Sequence, residues 1–189
     1  MPAVDQYRIF VGAFPQGVSA ERIQALREHY DPVTARITPP HVTLAGTYWR
    51  TGPATPVQEA ATIARLQTLQ GTLQPLLLQL GGVAHFPPAT RPVIYIQVAE
   101  TPALLAIRAA LLQVLGRDKH RHFTPHLTLA MRLQGAVAQQ MITELQSSAW
   151  QSERWDVPID HLSLMQRGPH DPAWRAIATL PIQSTFTLR

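Results

Sequence analysis

A chain of 189 residues, 46% of them apolar and 15% charged, has the composition of a folded globular protein, enough for one compact domain or two small lobes sharing a core. It has no cysteine, which excludes disulfides, thiolate metal sites and a cysteine nucleophile, and no apolar run approaches the ~20 residues needed to span a bilayer. A formal net charge of +4 biases it mildly toward anionic ligands such as nucleotides, RNA ends or phosphate esters.

In chain order, Tyr7–Phe14 alternates apolar residues and stops at Pro15-Gln16-Gly17, which predicts a strand closed by a turn. The start, MPAVDQYRIFVGAF, lacks the basic segment and apolar run of a secretory signal, so a cytoplasmic location is expected. Ser19 is placed to cap a helix running to about Tyr30. A proline-rich connection from Asp31 to Pro40 leads to His41-Val42-Thr43-Leu44, a strand that continues through Tyr48-Trp49 and ends at Gly52-Pro53. A helix is predicted from about Thr55 to Gln70.

Leu73–Leu80 and Pro92–Val98 read as antiparallel strands, separated by Gly81-Gly82 and a His85-Phe86-Pro87-Pro88 loop. Thr101-Pro102 starts a helix that Gly116 stops. The basic segment Gly116–Pro125, with Arg117, Lys119, His120, Arg121 and His122, runs into a second copy of the tetrapeptide, His126-Leu127-Thr128-Leu129. A helix over 136–150 and two strands, Val157–Gln166 and Trp174–Leu180, complete the chain. The order repeats coarsely, and it predicts an α+β fold of two β-rich lobes, two antiparallel sheets forming a central cleft with helices packed outside.

The two tetrapeptides carry the chemistry. A strand's period of two puts His41 and Thr43 on one face with Val42 and Leu44 on the other, and does the same for His126 and Thr128 against Leu127 and Leu129. Each copy thus offers an imidazole beside a hydroxyl. Two such strands facing one cleft supply a base and an acid near neutral pH, and two hydroxyl donors for a charged oxygen. One H-x-T-x motif occurs by chance in many proteins; two in matching context, 85 residues apart, do not read as coincidence.

Four stretches make the chain resemble the two-histidine phosphoesterase superfamily, in particular its bacterial RNA 2′,3′-cyclic phosphodiesterase branch, historically named 2′–5′ RNA ligase (LigT-like). They are RIFVGAFP, HVTLAGTYW, FTPHLTLAMR and IDHLSLMQRGPHDPAWRAIATLPI. The chain departs from the pattern at Arg167, where serine is usual, at Trp174, where tyrosine is commoner, and in the polar aromatic stretch after the first motif. The resemblance implies a single two-lobed, internally duplicated domain over residues 1–189, monomeric and needing no metal or other cofactor. Its expected partners are RNA ends or nucleotides carrying a 2′,3′-cyclic phosphate, hydrolysed to 2′-phosphates. His126 is expected as the base that activates water and His41 as the acid for the departing 3′ oxygen. Thr43 and Thr128 hold the phosphate, and Arg132 is a further phosphate-facing cation.

Tyr48, Trp49 and Phe86 are candidates for stacking on a nucleobase, against an equal expectation that each is rim or core packing. His161 opens a third similar stretch, HLSL, and is read as structural. Apart from Asp118 no carboxylate lies among His120, His122 and His126, and cysteine is absent, so no metal is expected and His120 and His122 are read as exposed loop residues. The alternatives within the same superfamily are cleavage or ligation of 2′–5′-linked oligonucleotides or small cyclic phosphates. Outside it stands a non-catalytic RNA- or nucleotide-binding module, which would have no use for two acid–base groups.

Overall fold

Strand alternation and helical periodicity decide most of the architecture. A computed structural model describes residues 6–88, 90–119 and 122–183; His120 and Arg121 lie outside them. The elements are β1 (Gln6–Ala13), α1 (Gly17–Tyr30), α2 (Pro32–Ile37), β2 (Val42–Thr51), α3 (Pro56–Gln67), β3 (Leu76–Phe86) and β4 (Val93–Val98). They continue with α4 (Pro102–Leu115), β5 (His126–Ala130), α5 (Gly135–Gln146), α6 (Ala149–Ser152), β6 (Trp155–Ile159), β7 (His161–Arg167) and β8 (Arg175–Pro181). The fold is α+β, as expected.

All strand pairs are antiparallel, in the order β6-β3-β4-β5-β2-β1-β7-β8. Two four-stranded halves meet where β2 lies beside β5, and that seam carries one register pair, Val42 opposite Leu127. The two expected sheets are therefore halves of one curled sheet. Each half brings its H-x-T-x strand to the seam.

One face of the sheet is covered by helices. Ile9, Val11, Val42, Leu44, Leu127 and Leu129 point into a core completed by Leu104, Ile107 and Leu111 of α4 and Met141 and Leu145 of α5, all nearly inaccessible to water. Each such leucine or isoleucine contributes about 1.5–3 kcal/mol by leaving water. The other face of β1 carries a small second cluster of Phe10, Phe14 and Met165, with Trp174 against it.

Several boundaries differ from the sequence expectation. The first helix starts before Ser19, with Gln16 at its N-cap and no side-chain cap. Asp31, expected in a loop, caps the short helix α2 by accepting the Thr34 amide at 3.0 Å, with Pro32 at the first helical position. Gly81-Gly82 do not end a strand: β3 runs through them to Phe86, with a shift of register against β4 between Leu80 and Val83. A Cβ on Gly81 would stand 2.5 Å from the Glu153 carbonyl oxygen, so the approach of the chain after α6 explains that glycine. The run Val157–Gln166 is two strands divided at Asp160: β6 pairs with β3 in one half and β7 with β1 in the other. The predicted helix over 136–150 also divides, into α5 and α6.

Candidate active site at the strand seam

The register at the seam fixes how the four motif residues meet. With Val42 opposite Leu127 in antiparallel pairing, one step in either direction sets Thr43 across from His126 and His41 across from Thr128. Val42 and Leu127 are fully buried on the helix side, so all four motif side chains point to the opposite face. Each histidine thus has a threonine beside it on its own strand and another across the seam.

Both imidazoles are held in the same way. Each follows a buried proline, Pro40 or Pro125, and each turns its Nδ1 onto the backbone carbonyl two residues back. The Nδ1–H of His41 donates to the Pro39 oxygen at 2.9 Å, and that of His126 to the Thr124 oxygen at 2.7 Å. A carbonyl only accepts, so in the neutral ring the proton sits on Nδ1, and Nε2 is the nitrogen through which a further proton is taken or given.

The surroundings of the two rings differ. His41 lies against Phe10 and Phe14, ring centroids 4.8 and 5.2 Å away, both near parallel. His126 meets the edge of Phe86 at 4.9 Å and the ring of Tyr95 at 5.2 Å. Burial pushes the His41 imidazolium down to about 4. The Pro39 carbonyl works against that shift by favouring the protonated ring, while the positive charges of Arg27 and His126 add to it. Arg27 is itself 1% exposed on α1, anchored on the Gln24 side-chain oxygen at 3.0 Å and the Thr34 carbonyl at 3.2 Å. His41 is accordingly neutral at pH 7.

A cavity of about 400 Å³ opens over the seam, lined by Thr43, His126, Thr128, Phe86, Phe123 and Arg108, with His122 and Met131 also on its wall. His122 is exposed and also borders the cavity. Arg108 was not singled out by the sequence. It interrupts the buried face of α4 between Ile107 and Leu111, and that interruption was the available signal. Its guanidinium binds Asp118 in a fork, at 2.9 and 3.1 Å, donates to the Leu44 carbonyl at 2.6 Å, and stacks over Phe123 at 4.1 Å. Asp118 also accepts the Gly46 amide at 3.2 Å. The pair braces α4 and the basic loop against β2. Gly46 has a φ of 123°, and a Cβ there would come within 2.8 Å of the Phe10 Cβ.

The remaining expectations divide. Phe86 is at the cavity. Tyr48 is not: it is buried in the core, its hydroxyl donates to the Gly116 carbonyl at 2.8 Å, and burial together with the Asp118 charge pushes its phenol up to about 12. Stacking of Tyr48 on a base is thereby corrected. A register shift between Ile9 and Phe10 leaves Thr47 unmatched in the β1–β2 ladder, which breaks simple counting along β2. Trp49 is 54% exposed and lies beside Arg8, away from the cavity lining. Arg132 is exposed and does not line the cavity, where Met131 stands instead. His161, on β7, donates to Asp160 at 2.5 Å and borders a separate cavity of about 750 Å³ with Ser163 and Met165. No cluster of histidines and carboxylates among the described residues could hold a metal.

Asp31 ties the two halves at the end of β5. Its Oδ2 accepts the amides of Met131 and Arg132, both at 3.0 Å, and the Thr34 hydroxyl at 2.7 Å. Burial alone would push this carboxyl up, but the amides of Met131, Thr34 and Arg132 and the Thr34 hydroxyl outweigh it and hold it below the usual carboxylate range. A depressed carboxyl adds stability that is complete above its unfolded value of about 3.9 and is lost as the pH falls toward the folded value. Asp31→Asn is therefore expected to cost about 1–3 kcal/mol in urea unfolding at pH 7, and less below pH 4; an equal cost at both pH values would contradict this role.

The 2′-5′ RNA ligase superfamily model matches residues 14–171. A Bacillus cytotoxicus protein named "Putative phosphoesterase Bcer98_0945" is 32% identical over 125 residues, 65% of this chain and 69% of that one. A Bacillus cereus relative with the corresponding name is 28% identical over 153 residues, 80% and 84% of the two chains. Among solved structures, Escherichia coli LigT complexed with ATP aligns over 95% of this chain and 99% of its own, with a TM-score of 0.61 and 15% identity. TT0787 of Thermus thermophilus aligns over 95% and 100%, with a TM-score of 0.57 and 17% identity. No helix among the described residues is long and apolar enough to cross a membrane. With its two H-x-T-x strands joined at one seam and its match over most of its length, the chain belongs to the 2′-5′ RNA ligase superfamily, the two-histidine phosphoesterases, enzymes acting on phosphodiester bonds.

Proposed function

We propose that this protein is a metal-independent RNA 2′,3′-cyclic phosphodiesterase, in which His41 and His126 are the catalytic pair and Thr43 and Thr128 hold the phosphate. The observation that carries the reading is the crossed arrangement of the two His-Thr pairs on one face of the seam, with both Nδ1 atoms tied to backbone carbonyls. Each half of the sheet contributes one histidine and one threonine, so one two-lobed domain holds a whole site and needs no second copy. The nucleotide complexes of LigT, with 3′-AMP and with ATP, support a ligand of the same class here.

Hydrolysis of a cyclic phosphate needs a proton taken from water on one side of phosphorus and a proton given to the ribose oxygen leaving on the other. The resemblance suggested His126 as base; the burial of His41 favours the reverse. His41 is held neutral, so its Nε2 takes the proton of the attacking water, while His126 acts in its doubly protonated form and gives the Nε2 proton to the leaving oxygen. The threonine hydroxyls donate to the non-bridging oxygens, where negative charge grows in the transition state. Phe86, edge-on to His126 at the cavity, is the aromatic side chain best placed to meet the base of the terminal nucleotide. With the 3′ oxygen facing His126, the product is a 2′-phosphate.

The test is product analysis on a short RNA ending in a 2′,3′-cyclic phosphate, with EDTA present. A 2′-phosphate is expected at an undiminished rate. A 3′-phosphate would reverse the leaving group, and a requirement for added divalent metal would sink the mechanism.

A further inference from the structure

A row of arginines and indoles lies on the same face of the sheet, one step along β1 from the Phe10 ring that covers His41. In the ladders, Arg8 of β1 stands directly opposite Trp49 of β2 on one side and Arg167 of β7 on the other. Arg8 is two residues from Phe10, so it shares that residue's face of the sheet. Trp174, just before β8, touches both: its ring meets Phe10 edge-on at 4.7 Å, and the Arg8 guanidinium lies 5.2 Å from its centroid. On its other side Arg8 is 5.1 Å from the Trp49 centroid. The result is a guanidinium between two indoles, with a second guanidinium as its cross-strand neighbour.

Two like charges directly opposite in a ladder repel, and among the described residues no carboxylate pairs with either arginine. Arg167 is held by neutral acceptors, the carbonyls of Asp171 at 3.0 Å and Pro172 at 3.4 Å. The Asp171 carboxylate is engaged with the Gly168 amide at 2.7 Å. Burial and, after it, the Arg167 charge hold the Arg8 guanidinium below its usual range. A bound anion would relieve this repulsion, and planar guanidiniums suit phosphate. The indoles offer stacking surface, and Trp49 is 54% exposed. Interleaved cations and aromatic faces are what single-stranded nucleic acid binds without base readout.

We propose that Trp49, Arg8, Trp174 and Arg167 form a second subsite, which holds the nucleotides immediately 5′ of the reacting end, so that the substrate is single-stranded RNA rather than a free cyclic mononucleotide. The proposal rests on the phosphodiesterase reading for the reacting end only. Successive same-face residues on a strand are about 6.6 Å apart, so the row lies on the order of 10 Å from the His41 ring, about three stacked-nucleotide rises of 3.4 Å.

The experiment compares kcat/KM for a tetraribonucleotide ending in a 2′,3′-cyclic phosphate with that for cytidine 2′,3′-cyclic phosphate. In Arg8→Gln and in Arg167→Gln, the oligonucleotide-to-mononucleotide ratio is expected to fall at least tenfold. The salt dependence of log KM for the oligonucleotide should flatten by about 0.7 for each phosphate that is no longer neutralised. Arg8→Lys should keep that salt slope, which a merely structural arginine would not require. A ratio within twofold of wild type in both glutamine variants overturns the subsite. If neither substrate turns over, the reaction has been misread, and quenching of tryptophan fluorescence by the same tetranucleotide then decides the subsite alone. Saturable quenching that weakens in both glutamine variants upholds it, and no quenching overturns it.

Discussion

Alanine in place of His126 is expected to lower kcat on a 2′,3′-cyclic phosphate by about 10²–10⁴-fold, and His41→Ala by a comparable factor, because each removes one of the two proton transfers. The fold should survive both changes. Each residue is only part-buried, and the hydrogen bond that orients its ring goes to a backbone carbonyl and is worth about 1 kcal/mol. Both variants should therefore melt cooperatively within several degrees of wild type. The double variant should be little worse than either single one, since the two groups act as a unit. If either single variant keeps more than a tenth of wild-type turnover with its fold intact, the paired scheme is wrong.

The pH profile separates the two roles. The acid limb of kcat/KM reports the base of the free enzyme. With His41 as base, that limb should lie well below the ordinary histidine value of about 6.5, displaced toward 4. A limb at or above 6.5 would return the role of base to His126.

The second large effect is expected at Arg108, which does no chemistry in this mechanism. Arg108→Met removes both guanidinium hydrogen bonds from the Asp118 carboxylate, whose side chain is 1% exposed. Removing one partner of a buried ion pair costs about 3–5 kcal/mol, measurable as a lower midpoint in urea. Arg108→Met combined with Asp118→Asn should recover a good part of that loss, because the buried negative charge is then removed together with the guanidinium that offset it. Catalytic efficiency should also fall in the single variant, since the pair holds the Leu44 carbonyl and the Gly46 amide of β2 and Arg108 supports Phe123 on the cavity wall. A cost below 1 kcal/mol would deny the brace.

The faces of the two motif strands were legible because they depend on a local rule: alternation put His41 with Thr43, and His126 with Thr128. That each histidine also faces the other strand's threonine was not legible. Pairing between strands 85 residues apart in sequence is a matter of register, and register is not written in either tetrapeptide. Asp31 was hidden for a related reason. Its local context is a helix cap, while its second task, holding the amides of Met131 and Arg132, exists only once the chain is folded. Tyr48 and Phe86 looked alike as aromatic residues near the motifs. Unmatched residues in the β1–β2 ladder put one in the core, and the continuation of β3 past Gly81-Gly82 carried the other to the cavity. Periodicity also could not divide β6 from β7, because two apolar strands joined at one polar residue, Asp160, read as a single run.

The seam has a consequence for how such a site can change. Val42 and Leu127 form its one register pair, so the ladder alone constrains the spacing of the imidazoles only weakly. That spacing depends on groups outside the ladder, Asp31 at the end of β5 and the Arg108–Asp118 fork behind β2. A substitution in either support can widen or narrow the gap between the two imidazoles while leaving both motifs intact. Relatives with identical H-x-T-x strands can thus be fitted to phosphates of different bulk, and the motif by itself is a poor guide to substrate.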